Sequence, residues 1–115
     1  MEISQSLNAG IPVLALQGRF DAHEVAPVRD WLKDQIDTGN VNLVVNMAGV
    51  NFIDSSALSS LVQGLKRCRE KGGNLTLCAF QQPVRIIFEL TRLDKAFGIF
   101  ISEQAAVNHL SAGHE

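Results

Sequence analysis

The feature that most constrains this chain is the stretch from Val41 to Leu65, VNLVVNMAGVNFIDSSALSSLVQGL. Val41, Leu43, Val44 and Val45 form a short β-branched-rich run, the pattern of a strand covered on both faces. Val50, Phe52 and Ile53 carry the apolar character past Gly49. Asp54, Ser55 and Ser56 then supply three capping-type residues in a row. Leu58, Leu61, Val62, Leu65 and Cys68 follow at helical spacing. The segment therefore reads as strand, abrupt polar corner and helix. It sets a pair of hydroxyls on the first turn of a helix at the end of a sheet, the edge where open α/β folds bind ligands. Free backbone N–H groups and the positive end of the helix dipole favour an anion there. A phosphoserine would bring about −1.5 to −2 charge at pH 7. The same residues also have a plainer reading, in which Asp54 and Ser55 cap the helix and Ser56 is an early-turn hydroxyl.

The flanking sequence supplies the rest of an α/β domain. Glu2 to Asn8 reads as an edge strand, Asn8-Ala9-Gly10 as a turn, and the segment from Ile11 as a second strand that closes a hairpin. Gly18-Arg19-Phe20-Asp21 ends that strand. A helix is expected from Ala22 to Thr38, with Val25, Val28, Leu32 and Ile36 inward and Trp31 partly buried beside them. After the Ser56 helix, Lys71-Gly72-Gly73 is a stop, and Asn74 to Phe80 a strand. Pro83 opens a helix that ends near Arg92, with Val84, Ile87, Phe88 and Leu90 as its apolar face. Phe97 to Ile101 is a last strand, and Ser102 caps a final helix with Ala105, Ala106, Val107 and Leu110 inward. The expected fold class is α/β: one mixed, mostly parallel sheet of about five strands, an N-terminal β-hairpin and about four helices. A single domain over residues 1–115 is expected, ordered over 1–110 with a frayed tail over 111–115.

Composition narrows the function. A formal net charge of −2 points away from nucleic acid and from anionic membranes as partners. No apolar run is long enough to span a bilayer and no signal-like leader opens the chain, so a cytoplasmic protein is expected. Cys68 and Cys78 lack the spacing of a metal or redox pair and read as buried apolar residues. No catalytic residues, metal or cofactor are expected, and the chain has no glycine-rich phosphate loop. His109 and His114 read as exposed, and His23 as a residue able to touch a partner. A receiver using Asp54 would need a further acidic pair and a lysine at strand ends. The first strand instead ends at Asn8 and Gly10, and a later one at Phe80-Gln81-Gln82.

Four segments, in order, also carry a family resemblance: Gly18-Arg19-Phe20-Asp21, Val50 to Leu58 (VNFIDSSAL), Gly72-Gly73-Asn74-Leu75, and Val84 to Phe100. They resemble the Gly-x-Leu-Asp corner, the apolar-Asp-Ser-Ser-Gly-Leu signature, the Gly-Gly before the next strand, and the following helix, loop and closing strand of the STAS domain. The match is to the small single-domain anti-sigma factor antagonists and covers nearly the whole chain. This resemblance implies a non-enzymatic, monomeric partner switch. The unphosphorylated protein would bind an anti-sigma factor that is also an ATP-using serine kinase, phosphorylation would release it, and a serine phosphatase would restore it. The implied phosphoacceptor is Ser56, with Ser55 as the alternative. Asp21, Asp54, Ser55, Ser56 and Ala57 are the implied partner-binding residues. Phe20 replaces the family's leucine. Ala57 stands where the family often has glycine, so its methyl is expected to stiffen the first turn and narrow the approach to Ser56. Arg92 stands where a glycine often precedes Leu93. The alternative is a STAS-like subunit of a signalling or lipid-transport complex, in which Ser56 is a cap or a buried contact and carries no phosphate.

Overall fold

The computed structural model describes residues 1–112. Its strands are β1 (Glu2–Asn8), β2 (Ile11–Phe20), β3 (Asn42–Ile53), β4 (Asn74–Cys78) and β5 (Gly98–Phe100), lying side by side in that order. β1 and β2 form the antiparallel hairpin, and every other pairing is parallel. The helices are α1 (Val25–Asp37), α2 (Ser55–Glu70), α3 (Gln82–Leu90) and α4 (Glu103–Ala112), with a 3₁₀ turn over Leu93–Lys95. This is the expected mixed sheet with its N-terminal hairpin.

The topology decides which helices cover each face of the sheet. Each parallel connection moves one strand further in the same direction, and right-handed crossovers repeated in one direction set their helices on one face. Accordingly α1, α2 and α3 share one core with Leu14, Leu16, Leu43, Val45, Met47 and Leu77. α4 covers the opposite face, where Ala106, Val107 and Leu110 pack on Val13, Val44 and Cys78. β3 is thus covered on both faces, as its composition predicts, and Leu43, Val44 and Val45 are wholly buried. The same holds for β4. Thr76 and Cys78 are as buried as Leu75 and Leu77, so the alternation there is between two covered faces.

Several boundaries differ from expectation for local reasons. β3 continues unbroken to Ile53, with register shifts against β2 that absorb the Gly49 region. β4 stops at Cys78 because Ala79 takes a φ of 62° and turns away, its N–H donating to the Phe100 carbonyl at 3.0 Å. α1 starts at Val25, not Ala22, because the corner residues are bound up with Asp21 and Asp54. α3 runs from Gln82 to Leu90, and Leu90 is exposed outside the core. Val62 is likewise partly exposed, whereas Trp31 is buried against the first core. Arg92 adopts a φ of 64°, a left-handed conformation that glycine would hold without strain. Ser102 caps α4 as expected, its Oγ accepting from the Ala105 N–H at 3.1 Å. Of the tail expected to fray, Ser111 and Ala112 belong to α4; the rest, including His114, lies outside the described residues.

The Gly72-Gly73 stop has a steric cause. Gly73 donates to the Cys68 carbonyl at 2.8 Å and passes so close to β3 that a β-carbon would sit 2.0 Å from the Val41 oxygen. Backbone cannot yield there as a flexible side chain would. Gly73→Ala is therefore expected to cost about 1–3 kcal/mol. Urea denaturation should show this as a lower midpoint with an unchanged slope.

Candidate functional site

The candidate site forms where β2 and β3 end together. Phe20 pairs with Ile53 in the parallel ladder, and the Asp54 N–H donates to the Phe20 carbonyl at 3.3 Å. Gly18, just before, takes a φ of 109°, a conformation for which glycine is suited, at an irregularity in the β2–β3 register. The two chains then diverge, one into the Asp21 corner and one into α2.

Asp54 is the N-cap of α2, in extended conformation. Its Oδ1 accepts from the Ala57 N–H at 2.9 Å, and its Oδ2 from the Ala22 N–H at 2.9 Å. One carboxylate thus ties the first turn of α2 to the β2–α1 corner. The Ala57 N–H does most to hold the Asp54 carboxyl below its ordinary value of 3.8, against partial desolvation, with help from the N–H groups of Ala22 and Ser56 and the charge of Arg19. Asp21 is organised from the other side. Its Oδ1 accepts from the His23 N–H at 3.1 Å, and its Oδ2 faces the Arg19 Nε at 3.6 Å. The Arg19 guanidinium lies 3.9 Å over the Phe52 ring, its register partner on β3.

The structure brings Asp21 and Asp54 into one corner through Ala22, and both are half-buried. Ser55 and Ser56 are exposed on the first turn of α2. Among the described residues neither hydroxyl is engaged by another protein group. Ala57 differs from the expectation for its methyl. It has no exposed surface, so its side chain packs into the core and does not narrow the approach to Ser56. Its contribution to the corner is the N–H given to Asp54. His23 is exposed beside Asp21, and His109 stands exposed against Phe100, on another part of the molecule.

Sequence reasoning passed over Arg19 and Phe52. The readable signal was alternation: Ile53 faces inward, so Phe52 must face out, and the parallel register sets Arg19 beside it. It also counted Val62 among the apolar residues at helical spacing in α2. Val62 instead joins Ser55, Leu58, Ser59, Gln63 and Leu93 in a shallow groove running back from the serine pair. Burial pushes the Cys68 thiol up to about 11 and, with Glu103 adding, the Cys78 thiol up to about 12, so both stay protonated and unreactive. Among the described residues no group of three or more His, Cys, Asp or Glu side chains is placed to hold a metal. None of the described helices is long and apolar enough to cross a membrane.

Comparison with known proteins bears on the fold and the family. The STAS domain family matches residues 3–106. The anti-sigma F factor antagonist of Paenibacillus polymyxa is 25% identical over 111 residues, covering 96% of this chain and 95% of that one. The crystal structure of an anti-sigma factor antagonist from Mycobacterium paratuberculosis superposes with a TM-score of 0.86 at 19% identity, over 96% of this chain and 93% of that one. The Bacillus cell fate determinant SpoIIAA in its phosphorylated form superposes with a TM-score of 0.75 at 19% identity, over 94% and 98%.

The cap makes a pH prediction. A carboxyl whose folded pKa is depressed adds stability that is complete above the unfolded value and is lost as pH falls through the folded one. The stability advantage of wild type over Asp54→Asn should therefore be constant from neutral pH down to about 5. It should shrink progressively as pH falls from about 5 through the ordinary value of 3.8 toward the depressed folded one. Urea denaturation at a series of pH values measures it.

Proposed function

We propose, from the premise that this chain belongs to the STAS domain family, that it is an anti-sigma factor antagonist whose grip on its partner is set by phosphorylation of Ser56. The supporting observation is the Ser56 hydroxyl. It is exposed, unengaged among the described residues, and held on the first turn of a helix beside a corner built by Asp21 and Asp54. The reading draws further support from the antagonist relatives that match along nearly their whole length. In it the protein acts by binding, in the cytoplasm, as a monomer. The partner is an anti-sigma factor that uses ATP to phosphorylate Ser56, and a serine phosphatase reverses the change.

The geometry suggests how phosphate would act. Asp54 already accepts from N–H groups of the α2 terminus, so a phosphate on Ser56 would not need to rebuild the helix. It would add about −1.5 to −2 charge to a corner that already carries Asp21 and Asp54. The fold would survive, and the interface would not. Burying a dianion against a partner costs its hydration, and any partner carboxylate there adds repulsion. The exposed groove of Leu58, Val62 and Leu93 behind Ser55 supplies apolar contact area continuous with the switch.

Two observations test this. Incubating the purified protein with ATP and lysate of its own source should add one phosphate, which peptide mass spectrometry should map to Ser56. Ser56→Ala should abolish it and Ser55→Ala should leave it. Phosphate found on Ser55, or none at all, would contradict the assignment. Ser56→Asp should keep the helical circular dichroism of wild type; loss of fold would contradict the mechanism.

A further inference from the structure

The two edges of the sheet are built differently. β5 is an edge of three residues, Gly98–Phe100, too short to template another strand. β1 is an edge of seven residues, EISQSLN, and among the described residues its one strand neighbour is β2. Exposed edges are usually kept apart by lysine, proline, a bulge or a covering segment. β1 holds no lysine, arginine or proline, and it pairs with β2 from Glu2 to Asn8 without a register shift. Its one charged side chain, Glu2, stands at the strand end.

The hairpin turn fixes which backbone groups of β1 face outward. Ala9 and Gly10 both take positive φ, 53° and 81°, as the two-residue type I′ turn requires. A hydrogen bond between Asn8 and Ile11 closes such a turn. Hydrogen-bonded pairs then alternate along the ladder, so Asn8, Ser6, Ser4 and Glu2 direct their backbone groups to β2. Ile3, Gln5 and Leu7 direct theirs away from the sheet. Pro12 agrees with this phase, since it stands opposite Leu7, where the hairpin asks no N–H of it. The side chains of Ile3, Gln5 and Leu7 also share one face. Ile3 packs half-buried against the first core, Gln5 is exposed, and Leu7 is 72% exposed.

This pattern is complementary to itself. With a second β1 laid antiparallel and Gln5 opposite Gln5, Ile3 of each copy falls opposite Leu7 of the other. Every outward N–H and C=O of Ile3, Gln5 and Leu7 then has a partner, whereas a shift of two residues orphans one residue on each strand. Leu7 gains an apolar cover, the central amide side chains lie side by side, and Glu2 meets Asn8 and not another Glu2. We propose that the occupant of this edge is a second copy of the chain, joined β1 to β1 about a twofold axis at Gln5. Two seven-residue strands make an interface below the ~1,200 Å² of a standard stable complex, so the pairing depends on concentration. It does not rest on the reading of Ser56. The switch corner lies at the ends of β2 and β3, and the monomer of that reading is the dilute form.

The test is sedimentation equilibrium of the whole protein from about 10 µM to about 1 mM. The mean mass should climb from 12.5 kDa toward twice that value. Amide hydrogen exchange in the concentrated sample should slow at Ile3, Gln5 and Leu7 and stay unchanged at Ser4 and Ser6, whose N–H groups already face β2. Gln5→Pro removes an outward N–H without touching the β2 ladder, and should weaken association about tenfold or more. Leu7→Lys, at an exposed position, is the second variant should Gln5→Pro disturb the fold; it sets a cation on the edge and should weaken association by a similar factor. A constant mass across that range, self-association that survives both substitutions, or slowed exchange at other amides with none at Gln5 would overturn the proposal.

Discussion

Asp54 bonds two corners of the sheet at once, and the candidate switch depends on that double bond. Its carboxylate takes the Ala57 N–H from α2 and the Ala22 N–H from the β2–α1 corner, each at 2.9 Å. The first bond ends the strand and starts the helix at a defined residue. The second fixes Asp21, and through it Arg19 and Phe52, relative to that helix. The second could not form unless β2 and β3 ran parallel and ended level, which the Phe20–Ile53 pairing provides. A local cap, worth little in isolation, thereby becomes the hinge pin of a surface assembled from two chain segments more than thirty residues apart.

On the proposed reading, this arrangement sets what a phosphate on Ser56 would meet. The donors that would otherwise make the α2 terminus an anion site are shared out to Asp54. An added phosphate would find part of its natural cradle occupied and two carboxylates for neighbours. On that account the modification changes what the surface can bury and leaves the fold alone, as a reversible switch requires. The buried Ala57 methyl fits this picture. It packs into the core and leaves the approach to Ser56 open.

Much of the architecture was legible in the sequence because it rests on patterns with a physical period. The unalternating Val41–Val45 run meant a strand between two layers, and α4 on the second face supplies the second layer. The Asp-Ser-Ser corner announced a helix cap, and Asp54 is that cap. What stayed hidden was set by tertiary contact. Nothing local says that Ala79 and Arg92 adopt positive φ, or that Leu90 and Val62 complete an apolar periodicity on the solvent side. The start of α1 was misplaced by three residues because its corner is held by Asp54, thirty-two positions away from Ala22. The Arg19–Phe52 contact needed the β2–β3 register, which hydrophobic pattern alone leaves open.

The account stands or falls on whether Ser56 governs a protein interface. Wild type, Ser56→Ala and Ser56→Asp should be immobilised in turn and exposed to native lysate, with retained proteins identified and quantified by mass spectrometry. The account predicts that wild type and Ser56→Ala both retain an ATP-binding anti-sigma factor, and that Ser56→Asp retains about tenfold less of it or lower still. Equal recovery of the same proteins by all three would contradict it, and would make Ser56 a structural hydroxyl in a constitutive STAS subunit.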